Sequence, residues 1–114
     1  MNLKKLVRFF VGIAALLLSP ILVLAGSGWT DYATIAELTP TSHGRYLVQL
    51  RISENPSGCR NKDTFYQDYG TPGSNNMYFA LLEAVGSEKA VRVYTTGKCG
   101  LNGYSEISSV GIVP

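Results

Sequence analysis

Two cysteines, Cys59 and Cys99, and a single histidine, His43, carry the most distinctive side-chain chemistry in this 114-residue chain. A thiolate nucleophile needs a neighbouring base, and His43 sits before Gly44 in a stretch rich in turn formers, Thr39-Pro40-Thr41-Ser42-His43-Gly44. Zinc needs more ligands, at closer spacing, than two thiols and one imidazole. The cysteines therefore read as a structural disulfide. Closing a loop of about 41 residues stabilises a fold by about 4 kcal/mol in the chain-entropy model. Paired carboxylates can flank a glycosidic bond, and Asp63 with Asp68, or Glu83 with Glu88, are the available pairs. The first lies in a short polar segment and the second near a helix end, where solvated charge is the simpler account. Neither a G-x-S-x-G nor an H-E-x-x-H run occurs. The expectation is a chain that is not an enzyme, with no cofactor and no metal.

Aromatic residues are the other candidates. Aromatic rings on strands and loops stack on sugars and bases and offer a polar edge. Tyr46, Phe65, Tyr78 and Phe79 are expected in the core, and Trp29, Tyr32, Tyr69 and Tyr104 at the surface. Tyr94 alternates with Val91 and Val93, which should point inward, so it is expected to face out. Phosphate binding needs clustered positive charge, but Arg45, Arg51, Arg60, Lys62, Lys89, Arg92 and Lys98 are scattered among acids. Nucleic acid is not an expected partner.

The N-terminal segment sets the compartment. Met1 to Arg8 is basic, Phe9 to Leu18 is apolar, Ser19-Pro20 interrupts it, and Ile21 to Ala25 completes it before Gly26-Ser27-Gly28. This is the layout of a cleavable signal peptide over residues 1–25. The rival reading is an uncleaved anchor, because Leu6 to Ala25 has about the length that crosses a bilayer. Pro20 and the small residues after Ala25 favour cleavage, with no stable membrane insertion afterwards. Cleavage would leave residues 26–114 as one exported, periplasmic or secreted, domain. Lys4, Lys5 and Arg8 leave with the signal, so the remainder has seven basic against eight acidic residues and no marked charge.

The elements that must position these side chains follow from pattern. Trp29 to Leu38 is rich in β-branched and aromatic residues and reads as a first strand, with Ala33, Ile35 and Glu37 on one face. Arg45 to Ile52 alternates, with Tyr46, Val48, Leu50 and Ile52 facing one way and Gln49 and Arg51 the other. After the Asn55–Gly58 turn, Thr64-Phe65-Tyr66 reads as a short third strand. A helix is expected from Ser74 to about Glu88, capped by Ser74 or Asn75 and ended by Gly86. Its apolar stripe comprises Met77, Leu81 and Ala84, widened by Tyr78, Leu82 and Val85. Ala90 to Thr95 and Ser105 to Val113 are the last strands. The order β-β-β-α-β-β predicts a mainly-β domain with one helix, built as a five-stranded antiparallel OB-fold-like barrel plugged by the helix. The alternative is an open antiparallel sheet with the helix on one face.

Several segments carry a resemblance. The helix followed by Lys89-Ala90-Val91-Arg92-Val93-Tyr94 and Thr95-Thr96-Gly97-Lys98-Cys99 is similar to the helix and fourth strand of small secreted OB-fold proteins, among them the B subunits of subtilase cytotoxin and typhoid toxin. Trp29 to Leu38 and Gly44-Arg45-Tyr46-Leu47-Val48 resemble that family's first hairpin. The resemblance implies a glycan-binding module that assembles in rings of five, a homopentamer, while a separate A chain carries the enzyme. The family's pocket serine aligns with Asp31, beside Thr30, and its pocket tyrosine with Thr95, beside Tyr94. Trp29, Thr30, Asp31, Tyr32, Tyr94 and Thr95 are thus the candidate glycan-binding residues. An anionic Asp31 opposes a sialic-acid carboxylate, which makes a neutral glycan the expected ligand. The alternative is a periplasmic structural or regulatory protein with a protein partner.

Overall fold

The computed structural model describes residues 26–100 and 102–114; the expected signal peptide, residues 1–25, lies outside the described residues. The elements run β1 (Gly28–Trp29), β2 (Ile35–Pro40), β3 (Arg45–Leu50), β4 (Thr64–Asp68), α1 (Ser74–Ser87), β5 (Val91–Cys99) and β6 (Ser105–Ile112). Among the described residues the fold is mainly β, with one helix and a single sheet in the order β1-β5-β6-β4-β3-β2.

The expected closed barrel of five antiparallel strands is not what forms, and the sheet differs from it in two ways. First, the sheet has six strands, because the run expected as one strand from Trp29 to Leu38 serves two neighbours in turn. Its head pairs with β5, as Gly28 with Thr95 and Trp29 with Tyr94. A bridge from Ala33 to Val91 continues that contact, and its tail, β2, pairs with β3. Second, the sheet is mixed. β4 and β6 run parallel where Phe65 and Tyr66 meet Ser105 and Glu106, and the other neighbouring pairs are antiparallel.

β3 follows its pattern. Tyr46, Val48 and Leu50 are buried, while Leu47 and Gln49 are half-exposed between them, as a strand with one wet face requires. β2 breaks the expected alternation. A register shift between Ile35 and Glu37 inserts an extra residue, so Leu38 packs on the core with Ala33 and Ile35 and Glu37 is exposed. The core combines these side chains with Phe65, Leu81, Ala84, Val91, Val93 and Ile107.

Helix α1 packs against β6 and β2 through Leu81 and Ala84. Its N-cap is Gly73, with no side-chain cap, because the expected capping residue Ser74 donates its hydroxyl to Tyr69 O at 2.8 Å. The helix runs through Gly86 and stops only where Glu88 turns left-handed, at φ 56°. The N–H groups of Glu88 and Lys89 then close on Val85 O and Ala84 O, satisfying carbonyls the helix leaves open. Phe79, expected in the core, is 64% exposed, and Leu82 and Val85 also face out. The sheet covers one side of α1, where Tyr78 packs part-buried on the core as expected and meets Tyr46 at 5.2 Å between ring centroids, while Phe79, Leu82 and Val85 stay uncovered.

The disulfide joins Cys59 to Cys99, and among the described residues no cysteine is free. It ties the loop before β4 to the end of β5, as expected. Among the described residues, no helix is long and apolar enough to cross a membrane.

Candidate functional site

The β1–β5 pairing assembles an aromatic surface. Trp29 and Tyr94 are register partners and meet edge-to-face at 5.4 Å between ring centroids, a favoured aromatic geometry. Arg92, two residues before Tyr94 on the same side of β5, lays its guanidinium 4.3 Å from the Trp29 ring centre. The same group lies 5.2 Å from the Tyr32 ring centre. Trp29 is 39% and Tyr32 48% exposed, so the cluster opens to solvent.

Thr30 and Thr95 face the other way. Thr30 is buried; its hydroxyl accepts from Val93 N at 3.1 Å and donates to Asp31 O at 2.9 Å. Thr95 is fully buried and directs its hydroxyl to Gly26 O and Gly28 O, each at 3.3 Å. These two candidates hold β1 against β5 from inside, where no ligand reaches them. Thr30 alternates with Trp29, and Thr95 with Tyr94, so burying one residue of each pair turns the other outward.

Asp31 is exposed and lies with Tyr32 on a groove of about 610 Å³, whose other walls include Gln49, Arg51, Glu54 and Asp63. Gln49 donates to Asp63 Oδ2 at 3.2 Å. Arg51 donates through Nη1 to Thr34 Oγ1 at 3.0 Å and Ile35 O at 2.9 Å. Tyr32 borders both the aromatic cluster and this polar groove, which makes them one continuous surface. The volume falls within the range of roughly 300–1,000 Å³ usual for small-molecule pockets.

Of the six candidates, the structure places Trp29, Asp31, Tyr32 and Tyr94 on the outside around this surface, and Thr30 and Thr95 behind it. Arg92 is the member that sequence reasoning missed. Its outward parity with Tyr94 on β5 is the signal that points to it, whereas composition alone reads it as one of several scattered charges. Asp63 and Asp68 take different partners: Asp63 joins Gln49, while Asp68 pairs with Arg45 at 3.1 Å. His43 is exposed in its turn and, with Arg45, Asn102 and Tyr104, borders a separate groove of about 380 Å³. Among the described residues, no three His, Cys, Asp or Glu side chains come together as a metal-ligand set.

The fold and site together define a small, disulfide-tied β domain with an aromatic and cationic outer patch beside a polar groove. No family model matches the chain, and no curated protein matches it.

Proposed function

We propose that this is an exported, non-enzymatic binding module of the OB-fold-like kind that recognises a glycan on the Trp29–Tyr32–Tyr94 surface and the adjoining groove. The observation that carries the reading is the continuity of that surface. A sugar has an apolar face and a hydroxylated edge, and this site places exposed rings directly beside amide, carboxylate and guanidinium groups. The rings suit stacking, and the groove suits hydrogen bonding. The OB-like part of the proposal is supported by the run from Gly28 to Pro40, which borders β5 at one end and β3 at the other. Export is supported by the oxidised cysteine pair, which belongs to oxidising compartments, and by the signal-like composition of residues 1–25.

A glycan array probed with the oxidised mature protein tests this reading. Binding to a defined subset of glycans, lost in Trp29→Ala, is expected. No retention at millimolar sensitivity overturns it.

A second reading, recognition of a protein partner or assembly with further copies up to a homopentamer, is favoured by the exposed apolar side chains Phe79, Leu82 and Val85 on α1. Exposed apolar patches mark interaction surfaces. Light scattering on the mature protein separates the cases: a monomer leaves the helix face for another protein, and a larger mass assigns it to self-assembly.

A further inference from the structure

Arg92 has no carboxylate partner among the described residues. Its Nε is the only buried side-chain nitrogen or oxygen there without a hydrogen-bond partner. The residue as a whole is only partly buried. The side chain is held on two sides. Trp29 and Tyr32 lie against the guanidinium, and its stem crosses Gly111, the register partner of Arg92 on β6. A β-carbon at Gly111 would come to 3.2 Å from both Cγ and Nε of Arg92, so a larger residue there presses on the arginine stem.

We infer that Arg92 is the specificity-determining residue of the proposed glycan site and donates its two Nη edges to a pair of hydroxyl oxygens on adjacent carbons of a neutral sugar. This rests on the glycan reading above. An arginine fork fixed against rings is pre-organised for two parallel acceptors, and ordering it costs little when the ligand arrives. The rings already face its charge. The neighbouring groove carries Asp31, Glu54 and Asp63 against Arg51, a balance that opposes an anionic ligand and accepts hydroxyl donors. Arg92 thus supplies donors on one side of Tyr32, and the carboxylates supply acceptors on the other. That division matches a polyol, whose hydroxyls both give and accept.

The test compares wild type, Arg92→Lys and Gly111→Val on an array of neutral glycans, their O-methylated derivatives and their sialylated or sulfated counterparts. Thermal unfolding and near-UV circular dichroism identify variants that fail to fold. Wild type is expected to prefer neutral glycans with free adjacent hydroxyls and to lose them on O-methylation. Arg92→Lys keeps the charge but not the fork, and is expected to weaken those ligands about ten- to hundredfold, the worth of one or two charge-assisted hydrogen bonds. Gly111→Val, which displaces the stem, is expected to produce a similar loss with Arg92 still present. An unchanged ligand profile in Arg92→Lys, or a wild-type preference for the acidic counterparts, overturns the Arg92 assignment alone. Absence of any wild-type binding overturns the glycan reading and this assignment together.

Discussion

Inside the core, Tyr46 on β3 donates its phenolic proton to Oε1 of Gln67 on β4 at 2.8 Å, with both residues fully buried. Gln67 Nε2 in turn donates to Ile107 O on β6 at 3.1 Å and lies 3.3 Å from Met77 Sδ on α1. One glutamine thereby joins both sheet neighbours of β4 and touches the helix, and its amide is satisfied at both ends. Burying a polar group without such partners is costly.

Replacing Tyr46 by phenylalanine keeps the ring but leaves Gln67 Oε1 buried without a donor. The expected loss is about 1–3 kcal/mol of stability, the desolvation penalty of an orphaned acceptor. Urea unfolding at neutral pH measures it. A Tyr46→Phe midpoint equal to wild type would show that the hydrogen bond contributes nothing net.

Alkaline pH acts on the same group. Burial pushes the Tyr46 hydroxyl far above its ordinary value of 10.0. Tyr66 is also raised, first by burial and then by Glu106 and Asp68, against the lowering effect of Arg45. In the unfolded chain both phenols ionise near the ordinary value, whereas in the folded chain they remain neutral. Their contribution is therefore fully present below about pH 10 and is lost as pH rises beyond it. Unfolding midpoints measured from about pH 8 to about pH 11 should fall steeply at the upper end. The difference between wild type and Tyr46→Phe should shrink over the same interval.

Reduction of Cys59–Cys99, or the double change to serine, removes a link across a sequence separation of 40. About 4 kcal/mol of stability should be lost in the chain-entropy model, a large share of what so small a domain has. Denaturant curves with and without reductant provide the measurement, and a shift below about 1 kcal/mol would contradict the estimate.

Trp29→Ala separates binding from folding. The ring loses its contacts with Tyr94 and Arg92, each worth about 0.5–1.5 kcal/mol. The variant should remain folded with about 1–2 kcal/mol less stability, while glycan retention on the array disappears. Equal array signals for variant and wild type would remove Trp29 from the site.

The parts of this fold that were readable from sequence are those governed by local pattern. Tyr46, Val48 and Leu50 declared β3 because an antiparallel strand with one wet face leaves a period-two trace. The cysteine count declared the bridge. The parts that were not readable depend on which neighbour arrives. Leu82 and Val85 have the same helical spacing whether or not anything covers them, and only the placement of α1 against β6 and β2 leaves them exposed. The bulge after Ile35 carries no turn residue to announce it, so Glu37 and Leu38 exchanged their expected roles. At the site, outward parity identified Tyr94 and local composition identified Trp29 and Tyr32. Arg92 becomes legible only once strands far apart in sequence lie side by side, because its contacts are made across β1 and β6.

The shared use of the run from Gly28 to Pro40 has a consequence for how the chain assembles. Its head pairs with residues made late, at Tyr94 and Thr95, and its tail with residues made soon after it, at Tyr46 to Leu50. The earliest-synthesised strand of the domain is therefore among the last to find all its neighbours. Long-range closures of this kind are slow. Trp29 would meet Arg92 and Tyr94 only at that final docking, so quenching of its fluorescence would report completion of the native state rather than the onset of collapse.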